Sequence, residues 1–162
     1  MDRLYLLLGS NQNNREALLQ TATEQIKSQI GDLIQCSSIY ETEPWGFKDD
    51  MYFLNQVVVF ESGKPPLQIL DQINEVEKKL GRKRENVDQY TSRPIDVDIL
   101  FYGNRIYNME QLKIPHPLIQ ERRFALVPMV EIEPDFVHPQ LQRRISALLD
   151  ECPDPLEVHR YK

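Results

Sequence analysis

The sequence is poor in the features that would place it outside the cytoplasm. It has only two cysteines, Cys36 and Cys152, far apart and in no CxxC pair. That spacing favours two buried thiols over a disulfide or a thiolate metal site, in a reducing compartment. Long apolar runs are missing too. The stretch Leu4 to Leu8 is shorter than the ~7–15 residues of a signal-peptide core, and nothing approaches the ~18 needed to span a bilayer. Net positive charge is also absent: 19 Lys and Arg against 25 Asp and Glu give −6 at pH 7. A nucleic-acid binder needs a basic face or stripe, so neither nucleic acid nor membrane is an expected partner. The glycine-rich phosphate cradles are lacking as well. No GxGxxG occurs, and Gly63-Lys64 fails as a P-loop because Val58 and Pro65 stand where Gly and Ser/Thr are required. Any nucleotide must be held by side chains and metal.

What is present suits one globular domain over residues 1–162, close to the ~150 residues of a typical domain. The chain is 41% hydrophobic and 27% charged, enough to bury a full core. Its basic residues gather at Arg82-Lys83-Arg84, Arg93, Arg122-Arg123 and Arg143-Arg144. In an acidic protein such clusters point to a small polyanion; the plainer alternative is solvated surface charge.

Leu4 to Leu8 reads as a buried strand ended by Gly9-Ser10-Asn11. Asn13 or Asn14 caps a helix with Leu18, Ala22, Ile26 and Ile30 inward, stopped by Gly31. Leu33 to Glu43 is strand-like with Ile34, Cys36, Ser38 and Tyr40 on one face, and Pro44-Trp45-Gly46 opens a loop to about Met51. Tyr52 to Glu61 is the strongest strand. A second helix follows Pro65-Pro66, with Leu67, Leu70, Ile73, Val76 and Leu80 inward and Gly81 at its end. The polar stretch 82–93 reads as a loop, and Ile95 to Tyr102 as a strand turned at Gly103-Asn104. This βαββαβ order predicts a ferredoxin-like α+β sandwich, an antiparallel sheet with its helices on one face. A short hairpin (Arg105–Tyr107 with Leu112–Ile114) and helices near Glu121–Val130 and Leu141–Asp150 complete the chain.

The chemistry concentrates in Arg93-Pro94-Ile95-Asp96-Val97-Asp98-Ile99-Leu100. Residues two apart in a strand share a face at ~6.5–7 Å, so Asp96 and Asp98 point one way while Ile95, Val97 and Ile99 point the other. Two like charges on an apolar strand call for a cation between them. Hard carboxylate oxygens suit Mg²⁺, which fills its remaining positions with water and substrate phosphates. Arginines supply planar, permanently charged donors for phosphate oxygens. Metal-holding acids beside arginines are the working parts of phosphoryl transfer. Asn55, a polar amide inside a strand, requires a partner.

From Leu8-Gly9-Ser10-Asn11 to about Val130 these residues resemble the 6-hydroxymethyl-7,8-dihydropterin pyrophosphokinase family of folate biosynthesis. The family's Arg-Xaa-Xaa-Asp-Xaa-Asp-Ile is matched by Arg93, Asp96, Asp98 and Ile99. Gly81, Arg82 and Arg84 match its Gly-Arg-Xaa-Arg run, and Pro115-His116 its Pro-His segment. The resemblance implies diphosphate transfer from ATP to the pterin hydroxymethyl group, with AMP leaving and two Mg²⁺ ions held by Asp96 and Asp98. It implies that Arg82 and Arg93 are catalytic. Glu77, Arg82, Arg84, Arg93, Ile99, Lys113, His116 and Arg122 would face ATP. Thr42, Pro44, Trp45, Phe53, Asn55 and Phe124 would form the pterin pocket, Asn55 on the ring edge and the two phenylalanines on its faces. A monomer is expected. The chain departs from the common pattern at Glu43, Trp45 and Tyr90-Thr91-Ser92, and it is too short for the fusion to a second folate enzyme found in many relatives. The polar 82–93 stretch has few apolar anchors to offset its ordering entropy, so a lid that orders with both substrates is expected there. Two other readings of the residues remain at this stage: a two-metal nucleotidyltransferase or cyclase, and a non-catalytic ligand- or RNA-binding module.

Overall fold

The computed structural model describes residues 1–12, 14–43, 52–81 and 94–161. The loop expected from Pro44 to Met51 and the lid expected over 82–93 lie outside the described residues. The elements are β1 (Asp2–Ser10), α1 (Arg15–Gln29), β2 (Asp32–Cys36), β3 (Tyr40–Thr42), β4 (Phe53–Ser62), α2 (Pro66–Lys79) and β5 (Asp96–Tyr102). They continue as β6 (Tyr107–Asn108), β7 (Lys113–Ile114), a 3₁₀ turn (Ile119–Glu121), α3 (Arg123–Ile132), α4 (Ile145–Asp150) and β8 (Val158–Arg160).

The main sheet runs β5-β1-β4-β3-β8, with β2 pairing β4 beside β3. Every described pairing in it is antiparallel. Strand β1 lies central because it can be buried on both sides. Leu4, Leu6 and Leu8 pack with Leu19, Ala22 and Ile26 of α1 and Ile69, Ile73 and Val76 of α2. Tyr5 and Leu7 pack on the other face with Ala125, Leu126 and Met129 of α3 and Ile145 and Leu148 of α4. A strand covered twice reads as a continuous apolar run rather than an alternation, and Val57-Val58-Val59-Phe60 of β4 has the same cause. The ferredoxin-like order is therefore present, but helices cover both faces instead of one.

Local expectations shift in physically simple ways. The side chain of Asn14, one of the two expected caps, accepts from Ala17 N at 3.3 Å; Ala22, Ile26 and Ile30 are buried as expected, but Leu19 rather than Leu18 turns fully inward. In α2 it is Ile69 that is buried, and Leu67 faces solvent. The single strand expected over 33–43 is broken at 37–39, where Ser37 N donates to Val57 O and Ser37 Oγ accepts from Val57 N. Strand β2 is irregular as well, its register on β4 shifting between Leu33 and Gln35, and Ile34 and Cys36 are exposed, so only Cys152 of the two thiols is buried; neither forms a disulfide. Helix α4 starts at Ile145 because 138–144 is spent in a turn around His138, whose Nδ1 accepts from Gln140 N and Leu141 N. Strand β8 had no signal in the sequence. No described helix is long and apolar enough to cross a membrane.

Candidate active site

Three rows of residues cross the sheet on the α3/α4 face, since directly opposed residues in antiparallel strands point the same way. The first is Phe101–Tyr5–Val59, wholly apolar and buried. The second is Asp98–Leu7–Val57, and the third is Asp96–Gly9–Asn55–Tyr40. Moving along the strands, the face changes from apolar core to polar residues within two steps. Asp96 and Asp98 share this face as alternation requires, while Ile95, Val97 and Ile99 sit in the α1/α2 core.

Glu77 of α2 fixes the start of β5. It is buried, and its Oε2 accepts from Val97 N at 2.9 Å, between the two aspartates in sequence. Ser10 Oγ donates to Pro94 O at 2.5 Å and ties the end of β1 to the same segment. On the far side, His116 N donates to Leu100 O at 3.0 Å, which brings the Pro115-His116 segment alongside β5. Burial, and after it the Arg122 guanidinium, push the His116 imidazole down to about 4, although Asp96 acts in the opposite sense. His116 is thus neutral at neutral pH. Its Nδ1 accepts from Leu118 N at 3.1 Å, so the proton sits on Nε2. Arg122, at the cap of α3, is also buried, and its Nη1 lies 4.0 Å from Asp98 Oδ2. Its guanidinium carbon is 5.7 Å from the Phe124 ring centroid.

The expected pterin residues line up on β3, β4 and the first turn of α3. Asn55 is buried and donates from Nδ2 to Leu8 O at 3.3 Å. Phe53, half-buried, is two residues away on the same face and opposes Thr42. Thr42 is 2% exposed, and its Oγ1 has no hydrogen-bond partner among the described residues. A buried hydroxyl in that state is costly unless something else satisfies it. Phe124 is half-buried at the start of α3.

The structure thus brings Asp96, Asp98, His116 and Arg122 together at one end of the face, and Asn55, Thr42 and Phe53 at the other; Glu77 does not join them on that face, being buried on the α2 side, where it holds the backbone of β5. Lys113 is exposed on β7, three residues before His116. Ile99 does not join them: its side chain is 6% exposed in the α1/α2 core, so only its backbone remains for a nucleotide. Arg82, Arg84, Arg93, Pro44, Trp45 and Tyr90 lie outside the described residues. Gly9 carries only a turn signal in the sequence, yet it sits in the middle of the polar row. A Cβ there would come within 2.8 Å of Asn55 Nδ2, so the Asn55 amide occupies the space over a residue with no side chain. Tyr40, beside Asn55, donates to Glu131 Oε1 of α3 at 2.6 Å and was read only as a strand residue.

Residues 5–134 match the family described as 7,8-dihydro-6-hydroxymethylpterin-pyrophosphokinase (HPPK). The chain belongs to this family. It is similar to the 2-amino-4-hydroxy-6-hydroxymethyldihydropteridine pyrophosphokinase of Porphyromonas gingivalis, 40% identical over 141 residues, covering 85% of this chain and 94% of that one. The enzyme of the same name from Aquifex aeolicus is 36% identical, covering 86% and 85%. Folic acid synthesis protein fol1 of Pneumocystis carinii is 37% identical over 153 residues, which is 94% of this chain but 20% of that longer protein. Among solved structures, a Plasmodium falciparum HPPK-DHPS superposes with a TM-score of 0.75 at 19% identity, covering 93% of this chain. The HPPK chain here spans 44% of that structure, and the likeness establishes the fold.

Proposed function

We propose that this HPPK chain transfers a diphosphate from ATP to the hydroxymethyl group of 6-hydroxymethyl-7,8-dihydropterin, giving the pterin diphosphate and AMP in folate biosynthesis. The observation that carries the reading is the single row Asp96–Gly9–Asn55, which sets an acidic, phosphate-directed end and an amide-bearing, aromatic end side by side on one sheet face. The nucleotide lies at the β5 end, against Glu77, His116 and Arg122, with Lys113 and, from outside the described residues, Arg82, Arg84 and Arg93. The pterin lies at the β3–β4 end, with Asn55 on its edge, Thr42, Pro44 and Trp45 around it, and Phe53 and Phe124 on its faces. On this reading residues 1–162 act as one catalytic domain, both cores sharing one sheet, and the enzyme works as a cytoplasmic monomer.

The residues fit magnesium. Asp96 and Asp98 are half-exposed carboxylates on one face, and no group of three or more His, Cys, Asp or Glu poised for a metal occurs among the described residues. Two carboxylates are too few for an all-protein cage, but they match an ion that takes its other ligands from water and phosphate. Asp96 and Asp98 would hold two Mg²⁺ ions. Bound there, magnesium neutralises charge on the phosphate oxygens.

The remaining work belongs to the chain's own groups. Arg122 presents a buried, permanent positive charge to the diphosphate, where removal from water strengthens its effect. Neutral His116 donates from Nε2 to a phosphate oxygen and holds it without adding a titrating charge. A new bond forms from the hydroxymethyl oxygen to the β-phosphorus, the bond from the β-phosphorus to the bridging oxygen breaks, and AMP departs with that oxygen. Asp98 accepts the hydroxyl proton late, since loose phosphoryl transition states need no early deprotonation. Incubation with ATP and the hydroxymethyl-dihydropterin should yield AMP and pterin diphosphate. Asn55→Ala should raise the pterin KM by roughly 5–100-fold with little change for ATP, the consequence of ring-edge polar atoms left unpaired. Release of pyrophosphate instead of AMP would overturn the reading in favour of nucleotidyl transfer.

A further inference from the structure

We infer that Arg15 is a positioning residue for the pterin end of the site, acting from the back of the sheet. It opens α1, one residue after the Asn14 cap. Its Nη1 donates to Glu41 Oε2 at 2.7 Å and to the Tyr52 carbonyl at 2.8 Å. Its guanidinium carbon lies 5.5 Å from the ring centroid of Tyr161. One side chain therefore joins the N-terminus of α1, the last turn of chain before Thr42, the residue that precedes Phe53, and the segment that follows β8.

The register shows what this joint controls. Glu41 precedes Thr42 and Tyr52 precedes Phe53, and Thr42 and Phe53 oppose each other across β3 and β4. Side chains alternate along a strand, so Glu41 points away from Thr42, toward α1. The bonds of Arg15 fall on the residues next to Thr42 and Phe53, so it acts through the backbone that carries them. That backbone needs support. Strand β3 has three residues, and its outer neighbour β8 has three as well. Pairs this short are marginal by themselves. The Arg15 side chain is 16% exposed and Glu41 33%, so the ion pair is partly shielded from solvent and salt. A charge-assisted bond to Glu41, a second bond to Tyr52 and the ring contact together hold the two strand ends in one arrangement.

The effect should be confined to one substrate. Strand β3 is separated from β5 by β1 and β4, three inter-strand steps of ~4.8 Å, or ~14 Å in all. Loosening β3 moves Thr42 and Phe53 and leaves Asp96, Asp98 and Arg122 where they are. This inference rests on the pocket proposed above, and its test separates the two. Steady-state kinetics with both substrates, and thermal unfolding, are measured for Arg15→Ala, Arg15→Lys, Glu41→Gln and the Arg15→Ala/Glu41→Gln pair. Arg15→Ala should raise the pterin KM roughly tenfold, with the ATP KM within about twofold, and Arg15→Lys should recover part of the loss. Adding Glu41→Gln to Arg15→Ala should change little further, because the shared contact is already gone. An equal rise in both KM values, tracking a fall in thermal stability, would mean a merely structural role and overturn the inference; so would an unchanged pterin KM. Asn55→Ala in the same assay reports on the pocket alone. A normal pterin KM there, beside a raised one in Arg15→Ala, would refute the pocket and keep the positioning role.

Discussion

Gly9→Ala tests the centre of the site with a single methyl group. The added Cβ would stand 2.8 Å from Asn55 Nδ2 and 3.8 Å from Phe53 Cδ1. The first contact is too short to persist, so the Asn55 amide must swing away. Gly9 is a strand residue without a positive φ, and alanine adopts its backbone without strain. The fold therefore meets opposing small terms. Losing the Asn55 bond to Leu8 O costs about 0.5–1.5 kcal/mol, and a less flexible unfolded chain returns about 0.4–1 kcal/mol. The melting temperature should move by no more than about 3 °C. Pterin affinity has no such offset, because the amide proposed to read the ring edge has left its place, and it should fall by about 1–3 kcal/mol. Calorimetric titration of pterin into both proteins measures this, with ATP binding as the internal control. The decisive measurement is a cycle: in an Asn55→Ala background the obstacle is gone, and Gly9→Ala should then cost almost nothing in pterin affinity. Normal pterin binding by Gly9→Ala alone, or an equal loss in both backgrounds, would refute the reasoning.

Asp96→Asn and Asp98→Asn should each lower turnover by at least ~10²-fold while pterin binding is retained. Asp96→Asn relieves repulsion between like charges two residues apart on one face, whereas Asp98→Asn also removes the carboxylate 4.0 Å from the buried Arg122 guanidinium, so Asp98→Asn should have the lower melting temperature of the two. Glu131→Gln tests the link between α3 and the strand that carries Thr42. Glu131 accepts from Ser38 N at 3.0 Å, Ser38 Oγ at 3.0 Å and Tyr40 OH at 2.6 Å, and losing its charge should cost about 1–2 kcal/mol of stability. Burial raises the Glu131 carboxyl, but the bonds from Tyr40 and Ser38 outweigh it and the net shift is downward. Its contribution is therefore complete above the ordinary carboxyl range and fades as pH falls through the lowered value. The gap in melting temperature between wild type and Glu131→Gln should narrow below about pH 4.

Much of the site was legible because the strand period is strict. Asp96 and Asp98 had to share a face, and the apolar Ile95, Val97 and Ile99 had to take the other. Asn55 stood out because a buried amide needs a partner, and it has one in Leu8 O. What the sequence hid depends on contacts between distant segments. The second helical layer comes from α3 and α4, whose apolar positions look like those of any amphipathic helix until the sheet offers a second face. Strand β8 is short and polar, and exists because Tyr161 N and Ile39 O, along with Tyr40 and Arg160, find each other across the chain. Leu18 and Leu19 are adjacent leucines, four and three residues before the buried Ala22, so helical spacing alone fits either, and packing against the sheet buries Leu19.

The arrangement of the site turns on one irregularity that alternation cannot predict. Strict period two would send Phe101 to the face opposite Asp96 and Asp98, because it lies an odd number of positions, three, beyond Asp98. The register of β5 on β1 slips between Tyr5 and Leu6, so Tyr5 opposes Phe101 while Leu6 opposes Ile99, and Leu100 is the extra residue. This bulge returns Phe101 to the same face as the aspartates, where it packs at 4.7 Å from the Phe136 ring centroid and 6.1 Å from that of Tyr5. One strand thereby supplies Phe101 as well as Leu100 and the acids to a single face, where regular pleating would send Phe101 to the other side. The bulge has a second consequence. A residue left out of the ladder has a carbonyl to spare, and Leu100 O accepts from His116 N. The segment that brings neutral His116 beside the two aspartates is thus anchored at the point where the strand changes from apolar packing to acidic residues. Fold and site share this cause, because the extra residue that reconciles the apolar rows with the acidic ones also provides the attachment that completes the site.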